Sequence, residues 1–144
     1  ELMLKAEKGN VKAQYELGLK YVKGKEVPQD FEKAIELMLP RAEKGNVFAQ
    51  HNLGIVYDKL GKLEQAASWY YKAAVQGHAQ AQKNLGDMYS KGQGVSQDYG
   101  RAASWYKQAA EQGNKGAEHN LKVMYAKGRI ERPNIGWFLL TNDL

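Results

Sequence analysis

The side chains best able to do chemistry are thinly spread along this chain of 144 residues. There are three histidines, His51, His78 and His119, and no cysteine. Without cysteine there is no disulfide, no thiol nucleophile and no thiolate-bound zinc. His51 and His119 recur two copies apart in the repeat described below, too distant to share one zinc ion. His78 falls where a helix needs an N-cap. No Ser/His/Asp grouping, phosphate-cradling glycine loop or paired set of carboxylates occurs at a catalytic spacing. No catalytic, cofactor-binding or metal-binding residue is therefore expected.

The basic residues carry a different possibility. Twenty-one lysines and arginines against sixteen acids leave a net charge of +5, which suits phosphates or an acidic partner. The acids, however, are interleaved with the bases, as in Glu7-Lys8, Glu32-Lys33 and Glu43-Lys44. No run of five like charges and no arginine-rich arm occurs, so a mixed, solvated surface is the better reading. Hydrophobic residues at 43% and charged ones at 26% argue against disorder and for a packed core. No apolar run approaches the roughly 18 residues of a membrane span. The absence of cysteine leaves cytoplasmic, periplasmic and secreted settings equally open, and residues before Glu1 are expected.

What must position these side chains is a repeat. Ala13-Gln14-Tyr15-Glu16-Leu17-Gly18, Ala49-Gln50-His51-Asn52-Leu53-Gly54 and Ala81-Gln82-Lys83-Asn84-Leu85-Gly86 are copies of one another. Ala117-Glu118-His119-Asn120-Leu121-Lys122 is a worn fourth, and the spacings are 36, 32 and 36 residues. A tyrosine follows each: Tyr21, Tyr57, Tyr89 and Tyr125. Ala13, Leu17 and Tyr21 stand at i, i+4 and i+8, one face of a helix, here the A-type helix. A B-type helix follows over 31–44, 63–76 and 99–112, marked by Ala66-Ala67-Ser68-Trp69-Tyr70 and Ala102-Ala103-Ser104-Trp105-Tyr106. Asp30 and Asp98 suit N-caps of B helices, and Asn10, Asn46, His78 and Asn114 those of A helices. Gly9, Gly45, Gly77 and Gly113 suit the position just past each B helix.

Small residues let two helices approach to about 8 Å. One hairpin cannot cover its own apolar face, so the hairpins must stack into an α-solenoid. Residues 81–113 match almost position by position the pattern Ala-Gln-x-x-Leu-Gly-x-x-Tyr-x-x-Gly-x-Gly-Val-x-x-Asp, closing with Trp-Tyr and Ala-Ala before glycine. This pattern resembles the Sel1-like repeat, a relative of the tetratricopeptide repeat. The resemblance covers nearly the whole chain. It implies an all-α fold, a right-handed α/α superhelix acting as a protein-binding adaptor, with no catalytic residues.

A single array over 1–144 follows. Residues 1–9 read as the end of a preceding repeat, 10–45, 46–77 and 78–113 as repeats, and 114–144 as a degenerate C-terminal one. The second copy lacks the Gly-x-Gly-Val-x-x-Asp turn and is shorter for it. Pro40 falls inside a B helix, where an interior proline costs on the order of 3 kcal/mol unless the helix kinks. Residues 129–144, with Trp137-Phe138, read as a closing helix.

The resemblance implies that A helices form the concave wall, and the positions not used by Ala13, Leu17, Gly18 and Tyr21 form lanes along it. One lane holds Tyr15, His51, Lys83 and His119. The next holds Glu16, Asn52, Asn84 and Asn120. One turn on come Leu19, Ile55, Asp87 and Val123, and at the helix ends Lys23, Lys59, Lys91 and Lys127. The asparagines suit bonding to an extended peptide, and the lysines suit an acidic partner or the dipole of their own helix. Tyr15, Leu19, Phe48 and Ile55 together predict an apolar docking strip. The expected function is a noncatalytic interaction module binding a protein or peptide, with an inhibitor or immunity-type role as alternative. Nucleic-acid binding is disfavoured, because no base-stacking aromatic and arginine pair recurs between copies.

Overall fold

Each helix begins where a cap is on offer. In the structure, a computed structural model that describes residues 1–131, the Asn10, Asn46 and Asn114 side chains accept the backbone N–H of Ala13, Ala49 and Ala117 at 2.8–2.9 Å. Asp30 and Asp98 accept those of Lys33 and Arg101 at 3.0 Å. Such a bond contributes about 1 kcal/mol and fixes the register of the helix it starts. The helices are α1 (Leu2–Glu7), α2 (Val11–Lys23), α3 (Phe31–Glu43), α4 (Val47–Lys59), α5 (Leu63–Val75), α6 (Ala79–Lys91), α7 (Tyr99–Glu111) and α8 (Lys115–Ala126). No strand occurs among the described residues. Helices α2, α4, α6 and α8 are the A type, and α3, α5 and α7 the B type. Helix α3 continues through Pro40, which lies in its last turn, so only one internal hydrogen bond is forgone. The closing helix expected over 129–144 falls mostly outside the described residues.

Each helix packs on its neighbours in sequence, and the result is an all-α helical-repeat solenoid. Within a hairpin the closest approach is made by glycine. A methyl group added at Gly54 would stand 2.5 Å from the Tyr70 ring, and one at Gly86 would stand 2.7 Å from that of Tyr106. Tyr70 and Tyr106 are almost wholly buried there. Met38 fills the same place over Gly18 in the first hairpin. Trp69 instead packs against the core that α3 and α4 form between the first two hairpins, and Trp105 against the one that α5 and α6 form between the next two.

The glutamine of the repeated Ala-Gln pair is the second fastener between repeats. Gln50 and Gln82 are buried, and their amides donate to the carbonyls of Ala42 and Ala74 at the end of the preceding B helix. Gln14 does the same to Ala6 at 3.2 Å. Gln76 and Gln112 then donate to the side-chain oxygens of Gln50 and Gln82 at 2.7 and 3.0 Å. A buried amide without such partners would cost about 1–3 kcal/mol. Here the bonds tie three successive helix ends together.

The turns between A and B helices come in two lengths. Between α4 and α5 only Leu60, Gly61 and Lys62 intervene, whereas residues 92–98 join α6 to α7. The longer turn lies against the start of α5, so closely that a methyl group on Gly94 would be 2.2 Å from the Leu63 carbonyl oxygen. The first repeat has Glu26 at the corresponding left-handed position (φ 68°) and ties it down with an ion pair to Lys20.

Candidate interaction face

The A helices line one wall of the solenoid, and α6 touches α8 directly across it. Side chains of successive A helices are bonded to one another along that wall. Asn52 Nδ2 donates to the Tyr15 hydroxyl at 2.6 Å. Asn84 Nδ2 lies 3.4 Å from His51 Nε2, and Asn120 Nδ2 donates to Asp87 Oδ1 at 3.0 Å. The asparagine lane thus bridges each A helix to the one before it. Its amides are only half-exposed and already partnered.

The apolar members of the expected strip have different fates. Tyr15 and Leu19 pack against the core built around Met38 and Leu53, with the Arg41 guanidinium 5.4 Å from the Tyr15 ring centre. Burial pushes the Tyr15 hydroxyl pKa up. Ile55 packs against the following core, around Tyr70 and Leu85. The premise that the repeat does not need these three is therefore corrected, because they seal the seams between hairpins. Phe48 alone of the four is exposed, at 61%, and its ring meets His78 edge-on at 5.9 Å.

His51 lies beside His78, with ring centres 4.3 Å apart, and 5.9 Å from Tyr70. His78 Nδ1 accepts the Ala81 N–H at 3.1 Å, so this nitrogen carries no proton and the ring is the N-cap of α6. Burial, followed by the neighbouring His78, lowers the His51 pKa to about 4. Burial lowers that of His78 as well. His119, far along the same lane, is exposed. Among the described residues no group of three or more His, Cys, Asp or Glu side chains could hold a metal ion.

The second half of the wall is polar. Lys83 Nζ sits 2.8 Å from Asp87 Oδ2, and Asp87 Oδ1 also accepts the Tyr106 hydroxyl. Burial, then this carboxylate, raises the Tyr106 pKa. Around Asp87 a cavity of about 560 Å³ opens between α6, α8 and the turn into α7. Val123 and Met124 line it as apolar residues, and Lys91, Lys127 and Arg129 as cations. Lys59, at the end of α4, is exposed and lies outside this cavity. Spacing alone points to Lys91 and Lys127 but not to Arg129, which lies beyond the end of α8, or to its partner Tyr99 at the start of α7.

The sequence matches the family model described as Sel1 repeat three times, over residues 11–46, 47–78 and 79–114. The chain belongs to the Sel1 repeat family. Solved structures similar to this Sel1 array include a protective antigen present in uropathogenic Escherichia coli strains, which displays an SLR fold. It is 39% identical at a TM-score of 0.82, and the match covers 88% of this chain and 28% of that one. A Sel1 repeat protein from Oxalobacter formigenes is also 39% identical, at a TM-score of 0.68, over 84% of this chain and 94% of that one. The array thus spans just over a quarter of the antigen's length. No curated protein matches the chain. Sel1 repeats typically mediate protein–protein interaction, and the family is generally a noncatalytic scaffold.

Proposed function

We propose that this chain is a noncatalytic interaction module that grips a peptide or partner domain on its A-helix wall. The observation that carries the reading is the division of labour along that wall. Glycine, tyrosine, glutamine and asparagine positions are consumed by packing and by bonds between repeats. Phe48, His119, Lys59 and the cavity beside Asp87 are left over and open to solvent. An exposed aromatic ring beside polar groups is the usual composition of a binding anchor and its rim. The competing surface is the outer one, where Tyr71 and Val75 are 51% and 55% exposed on α5.

The test begins with the immobilised array as bait in an extract of the source organism, with bound proteins identified by mass spectrometry. Calorimetric titration of the identified partner then compares two double variants. Phe48→Ala/His119→Ala is expected to weaken binding by about 1–2 kcal/mol or more, with Lys59→Ala costing much less. Tyr71→Ala/Val75→Ala should leave affinity unchanged. The reverse ranking would move the site to the outer surface.

A further inference from the structure

The cavity between α6 and α8 has more positive charge than its own carboxylate can balance. Among the described residues Asp87 is its one acid, and both oxygens are engaged: Oδ2 by Lys83, Oδ1 by Tyr106 and Asn120. Lys91, Lys127 and Arg129 also line the space, and none has a carboxylate within ion-pair distance among the described residues. Lys91 ends α6 and Lys127 is the C-cap of α8, so both complement the helix dipoles. Arg129 lies beyond the helix and has no such duty.

Arg129 is held in place by something else. Its guanidinium stacks over the Tyr99 ring, 4.8 Å from the centre. The Tyr99 hydroxyl accepts the Gln97 amide at 3.1 Å, and the same amide donates to the Ser90 carbonyl at 3.0 Å. A stacked guanidinium keeps its N–H edge free and pre-oriented, the geometry that suits a carboxylate's two oxygens. At about 560 Å³ the cavity accommodates more than one side chain, and Val123 and Met124 give it an apolar surface.

We propose that this cavity receives side-chain carboxylates of an acidic peptide segment, two or more Asp or Glu interspersed with an apolar residue, on Lys91, Lys127 and Arg129. This rests on the interaction reading above and specifies its partner's chemistry. Three cations facing one neutralised acid make the electrostatic match, and the apolar lining distinguishes a peptide from a bare anion.

The probe is a fluorescein-labelled, C-terminally amidated octapeptide alternating Glu and Leu, followed by anisotropy at two salt concentrations. The comparison ligands are its Gln-Leu counterpart with a free C-terminus and a ten-nucleotide oligouridine. The glutamate peptide is expected to bind, with affinity falling as salt rises. Lys127→Glu/Arg129→Glu should weaken it at least tenfold and should gain binding to a Lys-Leu peptide, which shows that the variant is folded. Lys62→Glu/Lys107→Glu, the same charge change outside the cavity, should stay within twofold. Equal losses in both double variants, an unchanged affinity in the first, or binding only by the free-C-terminus peptide would overturn the proposal. So would tighter oligouridine binding lost in the cavity variant. A captured protein partner that depends on Phe48 but not on Lys127 and Arg129 would sink this acidic-segment proposal and leave the interaction reading standing.

Discussion

Leu19 and Ile55 stand at the same turn of the A helix as Asp87 and Val123, yet the two halves of the array use that turn differently. Leu19 and Ile55 each press into the core shared by their own hairpin and the next and close the seam. Asp87 cannot enter an apolar core without a large desolvation cost, so it stays half-exposed and collects Lys83, Tyr106 and Asn120 around it. The seam there stays open as the cavity, which Val123 lines. One position in a 36-residue pattern can therefore serve folding in one copy and a surface in another. Its role is set by whether the side chain tolerates water.

Both halves rest on the same glycine–tyrosine crossing, so the largest effect is expected there. Gly86→Leu forces a side chain into the space of the Tyr106 ring, 2.7 Å from the first added carbon. Overpacking of this kind should cost about 3 kcal/mol. Gly54→Leu should cost as much, because Tyr70 stands at 2.5 Å. Thermal or urea unfolding of the two variants checks this. If either variant unfolds like the parent, the halves do not share a scaffold.

Substitutions at the shared turn sharpen the contrast. Leu19→Ala and Ile55→Ala each remove methyl groups from a partly buried seam, and each should cost about 2 kcal/mol. Asp87→Leu removes a partly exposed ion pair and the acceptor of the Tyr106 hydroxyl and Asn120 amide, which the cavity opens to water, and should cost about 1 kcal/mol. Urea midpoints with unchanged slopes would establish the ranking. An Asp87→Leu variant less stable than Leu19→Ala would mean that the polar cluster, too, is structural.

The scaffold was legible in the sequence, and the wall was legible only in part. Ala13, Gly54, Asp98 and Asn114 repeat because backbone approach and helix starts demand one residue type, so period alone locates them. Gln50 and Gln82 repeat just as strictly, but their partners are backbone carbonyls, and carbonyls leave no mark on sequence. Leu19 and Ile55 share their turn with the charged Asp87, so the lane by itself does not show that they pack into the seams. A charged residue in one copy says nothing of its apolar counterparts in another. Arg129 and Tyr99 meet through a turn whose course no helical period describes.

A pH dependence of stability is expected at the boundary between the halves. His51 of α4 stacks on His78 at the head of α6, with Phe48, Tyr70 and Asn84 around them. Protonated His78 could not accept the Ala81 N–H, and α6 would lose its cap. Both folded-state pKa values lie below that of a free histidine, with His51 at about 4. The unfolded chain therefore binds protons first as pH falls below about 6.5. This part of the stability is complete above that pH and is lost progressively toward pH 4. Allowing for solvent access, it amounts to roughly 1–2 kcal/mol. Urea denaturation at pH 7 and pH 4.5 should show His51→Gln/His78→Asn losing less stability than the parent by that amount. Parallel losses would assign the effect to carboxylates elsewhere.

The smallest effect compares two exposed glycines, one on each side of the solenoid. A methyl group on Gly100, at the start of α7, would meet only Asp98 Oδ1, at 3.3 Å. Alanine favours a helix over glycine by about 1 kcal/mol, so Gly100→Ala should gain about 0.5 kcal/mol after the cap adjusts. On Gly116, in the first turn of α8, the methyl group would stand 3.3 Å from Lys83 Cε and 3.4 Å from Asn114 Oδ1. The lysine stem is flexible, but its ammonium group is held on Asp87 at 2.8 Å. Moving it disturbs that pair, so Gly116→Ala should gain close to nothing. In a Lys83→Ala background the obstacle is gone, and the Gly116→Ala gain should rise toward that of Gly100→Ala. Differential scanning calorimetry of the four variants resolves the difference as a shift of a degree or two. Equal gains at both glycines in the parent would mean that Lys83 moves freely and that the polar half of the wall is looser than its ion pair implies.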